Sequence, residues 1–380
     1  MEERTSANAL AQEPPAGADE FVRLDNERSG ERMPKELAAQ VEGRTLSITT
    51  REKFDFRSVE PVRYDGDRWQ VKLPEGTGLV MPGRTSGRLS VDEVGKAAVR
   101  ELDEAGELAA SRPAWVDYEP HAKVSAPRTT VLRRLDGTIL EPHYGVFGAD
   151  DRQVYYPGGY PWTCVGKVYV WDDWGSPYPA WSGSGVLIGD RTVLTAGHMC
   201  PWGSGNWAMQ FVPAYYDGVS TLGRGVSSYV SDYYGYDTDD TVSAWDMAVL
   251  RLYTPLGVNY GYFGTKDYNS AWEGGNYWTL AGYPGAVAGG NRPSRQMWWP
   301  VLDDDGSGSA EEVEYEADST PGNSGGPVFG FWSGLPYAIA THSGGSKTTF
   351  LWWTIEDTNV GAGGGALNSL VAWARSNWPA

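Results

Sequence analysis

Residues 145–380 are predicted to form an all-β domain, a sandwich or barrel with one C-terminal helix, behind a mixed and partly disordered region over residues 1–144. Three observations predict this. From about Tyr144, short runs rich in Val, Tyr, Trp and Thr alternate with Gly, Pro and Asp clusters, as strands separated by turns do. The tail departs from that pattern: Leu367, Leu370, Val371 and Ala374 recur at helical spacing, which predicts a helix over Asn368–Trp378. Composition also breaks near residue 145, since 16 of the 18 Trp and 19 of the 22 Tyr lie beyond it, with 23 Asp+Glu against 10 Lys+Arg. The first part holds 26 acidic and 21 basic residues and is a different kind of sequence.

In chain order, residues 1–45 are Pro-, Glu- and Ala-rich with little periodicity, the composition of a segment with too little apolar surface to order itself. Thr45–Thr50 and Arg68–Leu73 read as short strands. Val91, Val94, Ala98 and Leu102 place an amphipathic helix in Val91–Ala110, and Pro113, Pro120 and Pro127 mark the next stretch as extended linker. Strands are then predicted at Val165–Trp171, Gly185–Ile188, Thr192–Thr195, Met247–Leu252, Tyr277–Gly282, Val328–Phe331 and Tyr337–Thr341. At roughly 100–200 residues per domain, 380 residues leave room for a second domain or a pro-segment beside the β domain.

The formal net charge of −18 argues against nucleic acid as a partner, because polyanions bind through Lys and Arg that neutralise phosphates. No window reaches the ~18 apolar residues of a membrane span, and no apolar signal core follows Met1. The chain as written is expected to be soluble and to lack its own export signal, although Ser6–Ala11 has the small-residue spacing of a signal cleavage site. Two Cys allow one disulfide or two free thiols. Candidate imidazole bases are four: His121, His143, His198 and His342. His121 and His143 lie on the expected linker, away from metal-ligand spacing, and receive no role.

Three segments of the second part carry chemistry together. Thr195-Ala196-Gly197-His198 follows an apolar strand and supplies an imidazole. Trp245-Asp246 enters a second apolar strand with a carboxylate, and Pro321-Gly322-Asn323-Ser324-Gly325-Gly326-Pro327 sets a Ser on a glycine-rich turn. A Ser hydroxyl is a weak nucleophile until a base takes its proton, and that base needs a third group to fix its tautomer. Flanking glycines let backbone N–H groups converge on an oxyanion, at about 3–4 kcal/mol per donor. Each segment alone reads as something bland: a surface turn, a core histidine, a strand-edge carboxylate. Their joint occurrence in the order His, Asp, Ser favours nucleophilic catalysis.

These motifs resemble those of the chymotrypsin-like (trypsin-like) serine peptidases, over roughly residues 145–380. The resemblance implies two six-stranded antiparallel β-barrels with the site in the cleft between them. It implies His198 as general base, Asp246 as its orienting carboxylate, Ser324 as nucleophile, and the N–H groups of Gly322 and Ser324 as oxyanion hole. No cofactor is implied, and the expected partners are protein or peptide substrates of a secreted, monomeric enzyme.

Within that family the sequence is most similar to the bacterial glutamyl endopeptidases. Val146-Phe147-Gly148-Ala149-Asp150-Asp151-Arg152 resembles their mature start, which makes residues 1–144 an expected propeptide, cut near Tyr144–Val146 or at Arg133-Arg134. Asn323 stands where trypsin-type zymogens have an Asp, so activation by an ion pair there is not expected. His342 and Ser319 occupy the positions of that branch's pocket histidine and hydroxyl, with Ser343 and Gly345 beside them; a His cation and a hydroxyl would bind a Glu side chain. Asp318 stands where trypsins carry the carboxylate that selects Arg or Lys, so both preferences stay open. Met199 and Gly183 replace the family's disulfide beside the base, and on the family layout Cys164 and Cys200 are expected to bridge. Asp303-Asp304-Asp305-Gly306-Ser307 is expected to be a solvated acidic loop. The rival reading is a catalytically silent protease-like domain that binds protein or glycan through its aromatic surface.

Overall fold

A computed structural model describes residues 13–41, 46–48, 60–65, 68–72, 80–101, 107–125, 146–236, 244–350 and 353–380. Ser6–Ala11, Arg133-Arg134, His143 and the boundary at 144/145 lie outside the described residues. Six antiparallel strands close a first barrel in the order Ala208–Pro213, Val165–Trp171, Trp181–Gly189, Thr192–Thr195, Ala248–Leu252 and Ser228–Tyr236, with the last pairing back to the first. Its strands are short, β-branched and aromatic, and Val168, Val186, Leu194, Phe211, Tyr233 and Leu250 fill its core. Val165–Trp171 and Thr192–Thr195 have the predicted bounds.

The second expected barrel is an open sheet. Its strands run Val301–Ser307, Ala310–Tyr315, Trp353–Gly363, Leu335–Phe350, Pro327–Trp332, Trp278–Gly282, Ser294–Trp299, Gln153–Tyr155 and Val124–Ser125. Closure would need the outer edge of Ser294–Trp299. That edge is occupied, because Ser294 and Arg295 pair with Val154 and Gln153. Further along, the register slips by one residue at Trp298, whose φ is +68°, and such a bulge bends its strand. The acidic run is also not a loop: Asp303, Asp304 and Asp305 lie in the strand Val301–Ser307. The C-terminal helix, Gly365–Asn377, buries Leu367, Leu370, Val371 and Ala374 as its spacing predicts.

The first part of the chain departs most from expectation. Residues 13–41 are docked, with short helices at Ala18–Phe21 and Lys35–Val41. Ala16 N–H donates to Phe331 O (2.7 Å), Asn259 Nδ2 to Leu37 O (3.0 Å), and Phe21 packs against Trp298 and Phe331. The supposed linker is docked too: Leu108 and Ser111 pair with Thr265 and Tyr262, and Val116, Tyr118 and Ala122 are buried. Thr85–Leu89 adds a parallel seventh strand beside Ser228–Tyr236, and the predicted helix, shortened to Val91–Glu101, lies on the C-terminal helix. A Pro-rich stretch can satisfy its remaining amides on a neighbouring surface as well as in water, which composition does not reveal.

Candidate active site

Asp246 and His198 meet because Ala248 pairs with Thr195, so the entry of one strand lies beside the exit of the other. The strand Thr192–Thr195 ends at Ala196, and one 3₁₀ turn, Gly197–Met199, carries His198. Asp246 Oδ1 accepts the backbone N–H of His198, and Oδ2 lies 2.7 Å from His198 Nδ1. A carboxylate only accepts, so Nδ1 carries the proton and Nε2 keeps a lone pair. Asp246 is 3 % exposed, and a third donor, Ser343 Oγ, completes the shell of Oδ2. Ser343, expected beside the substrate pocket, lies at a register slip between His342 and Gly344 and donates its hydroxyl to Asp246.

The Ser324 turn belongs to the second sheet and is bound to both halves. Gly325 N–H donates to His342 O (2.9 Å), and His342 N–H to Gly326 O (2.8 Å). Towards the first barrel, Ser184 N–H donates to Ser324 O (2.8 Å), Ser184 Oγ donates to Gly322 O (2.7 Å), and Oγ accepts Tyr283 N–H (2.9 Å). Two glycines make this possible. Gly322 has φ +106°, and a Cβ there would sit 2.5 Å from Tyr283 O. Gly325 has φ +82°, and a Cβ there would collide with Thr195 and approach Ala196 N to 3.0 Å. The Ser324 turn therefore lies flat on the strand end that carries His198. Asn323, Gly325 and Gly326 spend their N–H groups on backbone carbonyls; among the described residues those of Gly322 and Ser324 do not. Those two amides remain available to an oxyanion.

His342 is buried, its Nδ1 2.7 Å from the Tyr315 hydroxyl. Burial, assisted by His198, pulls its pKa down to about 3, so the imidazole is neutral and not the expected cation. Ser319 Oγ donates to Asn359 Oδ1 at 2.9 Å, and Gly345 pairs with Asn359 across the strands Leu335–Phe350 and Trp353–Gly363. The Asp318 carboxylate accepts the N–H groups of Phe147 and Asp151, both at 2.8 Å. Burial pushes its pKa up against those two bonds. Arg152 joins the same anchor through Thr320 Oγ1 (2.9 Å), so Val146–Arg152 is held against the start of the Ser324 turn.

Cys164 and Cys200 are free buried thiols, and the expected bridge is absent. Their surroundings differ: Cys164 lies against Tyr260 O on the far side of the first strand, while Cys200 lies within the electrostatic reach of Asp246 and Arg88. Burial raises both thiols well above the ordinary range. Sequence reasoning missed Ser184, Tyr315 and Trp202. Ser184 stands in the small-residue run Gly183-Ser184-Gly185, where a Cβ at Gly183 would meet Met199 and Ser324 O.

Residues 183–333 match the family model for a trypsin-like peptidase domain. That match supports, by class, a serine endopeptidase. No curated protein matches it. Among solved structures, a Glu endopeptidase in complex with MPD is 19% identical, covering 60% of this chain and 99% of that one, at a TM-score of 0.46. The thermostable serine protease AL20 from an extremophilic microorganism is 22% identical over 56% of this chain and 98% of its own, at 0.41. The protease Anisep from Arthrobacter nicotinovorans is 19% identical over 58% and 99%, at 0.40.

Proposed function

We propose that the chain is a secreted serine endopeptidase, made as a proenzyme, that cleaves peptide bonds through an acyl-enzyme at Ser324. In this reading His198 Nε2 takes the Ser324 proton as Oγ attacks the scissile carbonyl. Asp246 stabilises the imidazolium, and the amides of Gly322 and Ser324 receive the oxyanion. His198 then protonates the leaving amine, and water attacks the acyl-enzyme by the reverse proton path. The observation that carries the reading is the Asp246 carboxylate, which fixes His198 at both its amide and Nδ1 while the Ser324 turn packs on the same strand end.

The preference we propose is for Glu at the residue before the cut. Asp318 is committed to Phe147 and Asp151, which removes the main argument for Arg or Lys. A neutral His342 can still recognise a carboxylate: if Tyr315 donates to Nδ1, Nε2–H is the ring donor left for a ligand. Residues 1–144 are the proposed pro-region, cut near Tyr144–Val146, where a new terminus would emerge beside the Asp318 anchor.

A fluorophosphonate probe tests the reading. Wild type is expected to label and Ser324→Ala not; an unlabelled wild type, or equal labelling of both, favours the silent binding domain. A peptide-library profile of wild type and His342→Ala tests the preference, with loss of cleavage after Glu expected in the variant. An unchanged profile removes His342 from the pocket.

A further inference from the structure

The expected pro-region does more than sit on the surface. Thr85–Leu89 pairs in parallel with Ser228–Tyr236, its Thr85 hydroxyl bonds Asp232, Arg84 N–H donates to Ser231 O (2.6 Å), and Val94 of the following helix is fully buried. At the far end of that strand, Arg88 Nη1 donates to Tyr236 O (3.2 Å) and its guanidinium lies over the Trp202 ring, 4.5 Å from the centroid. Trp202 in turn donates Nε1–H to Gly197 O at 2.7 Å. Gly197 directly precedes His198, and a Cβ on it would lie 3.0 Å from Asp246 Oδ1. The peptide that carries His198 is thus held from two sides, by the Asp246 carboxylate and by the Trp202 indole. Among the described residues, the second support is the one held from the region before residue 145.

We propose that Arg88 is a positioning residue for His198, acting through Trp202 and Gly197, and that the segment bearing it stays bound in the working enzyme after any cut near residue 145. The inference rests on the peptidase reading and goes beyond it, because it makes the pro-region a permanent part of the catalytic unit. A guanidinium stacked on an indole fixes the ring plane, and the ring plane aims Nε1–H at Gly197 O. Without it the His198 turn loses one of the side-chain bonds that fix it, and small displacements of a catalytic base cost rate steeply. The contact lies behind the base and touches no substrate, so the loss should fall on kcat and leave KM unchanged.

The test uses the full-length chain, as wild type, Arg88→Met, Arg88→Lys, Trp202→Phe and the Arg88→Met/Trp202→Phe double variant. Arg88→Met keeps the hydrocarbon stem and removes the cation, which spares the strand. Expected is a fall of roughly tenfold in kcat and in the fluorophosphonate reaction rate, with KM unchanged. Arg88→Lys should recover much of the rate, and the double variant should be no slower than Trp202→Phe alone, since both substitutions act on one contact. A wild type that does not label refutes the peptidase reading itself. A labelling wild type with Arg88→Met reacting at the same rate, or with losses that multiply in the double variant, overturns the role of Arg88. Mass spectrometry of the processed, active enzyme should find the fragment containing Arg88; full activity from residues 145–380 alone overturns its retention.

Discussion

Ser343→Ala removes one hydroxyl and leaves the rest of the site in place. Asp246 is almost wholly buried, and its carboxylate accepts three donors: the His198 amide, His198 Nδ1 and Ser343 Oγ. A hydrogen bond to a charged group contributes about 1.5–3 kcal/mol, and a buried anion stripped of one donor loses that support with no water to replace it. The carboxylate must be strongest when His198 carries its second proton, in the transition state, so much of the loss falls on the barrier. At about 1.4 kcal/mol per tenfold, the expected fall in kcat is roughly 10–100-fold. KM should hardly move, because the hydroxyl is spent on Asp246. The assay is steady-state cleavage of a peptide substrate, with the fluorophosphonate rate as an independent measure of Ser324 and His198. A kcat within about twofold of wild type would refute the assignment of Ser343 to Asp246. A raised KM at unchanged kcat would return it to the substrate pocket.

His342 predicts an acid-labile fold. Its folded pKa, near 3, lies below the ordinary histidine value near 6.5, so between those pH values the unfolded chain binds a proton that the folded one does not. Stability from this group is therefore complete above about pH 6.5 and lost progressively down to about pH 3, by at most ~5 kcal/mol. The difference in Tm between wild type and His342→Gln across that range isolates it from Glu311 and Asp267, whose burial raises them to about 8 and about 6 and slopes stability the other way; parallel curves contradict it. Gly325→Ala forces a side chain onto a positive φ and into Thr195, and should cost several kcal/mol of stability and nearly all activity; a variant with normal Tm and kcat would mean the turn is laid elsewhere. Native protein should resist alkylation at both thiols, and unfolding without reductant should then add two labels; an unlabelled unfolded chain would restore the bridge.

What the sequence made legible was whatever local pattern dictates. The strand Thr192–Thr195 was readable because a β-branched apolar run stops at Ala196-Gly197, and the same break announces the turn that carries His198. The Ser324 turn was readable because glycines at 322, 325 and 326 have no other economical explanation, and the structure gives two of them positive φ. Side-chain direction was not readable. Asp318 and Ser319 are neighbours of opposite fate, one turned to Phe147 and Asp151 and the other to Asn359, and nothing in a dipeptide fixes which. Ser343 turns onto Asp246 at a one-residue register slip against the next strand, Trp353–Gly363, and a register is set by the pairing of two strands and not by either run alone.

The docking of residues 13–41 and 107–125 was not readable for a related reason. The composition of a segment describes how much apolar surface it can bury by itself, and here that is little. Folding asks instead how much it can bury on a surface already built. Phe21, Leu89, Leu108, Val116 and Tyr118 join the main core as scattered single side chains, and Val94 is the buried residue of the one periodic run, Val91–Glu101. Each such burial is worth about 1.5–3 kcal/mol, so even a few offset much of the cost of ordering the segments that carry them. A segment held this way should not leave if one peptide bond near residue 145 is cut. Cleavage near residue 145 would free the terminus beside Asp318 and leave Arg88 on Trp202, which lets one event alter the substrate pocket while the base stays braced.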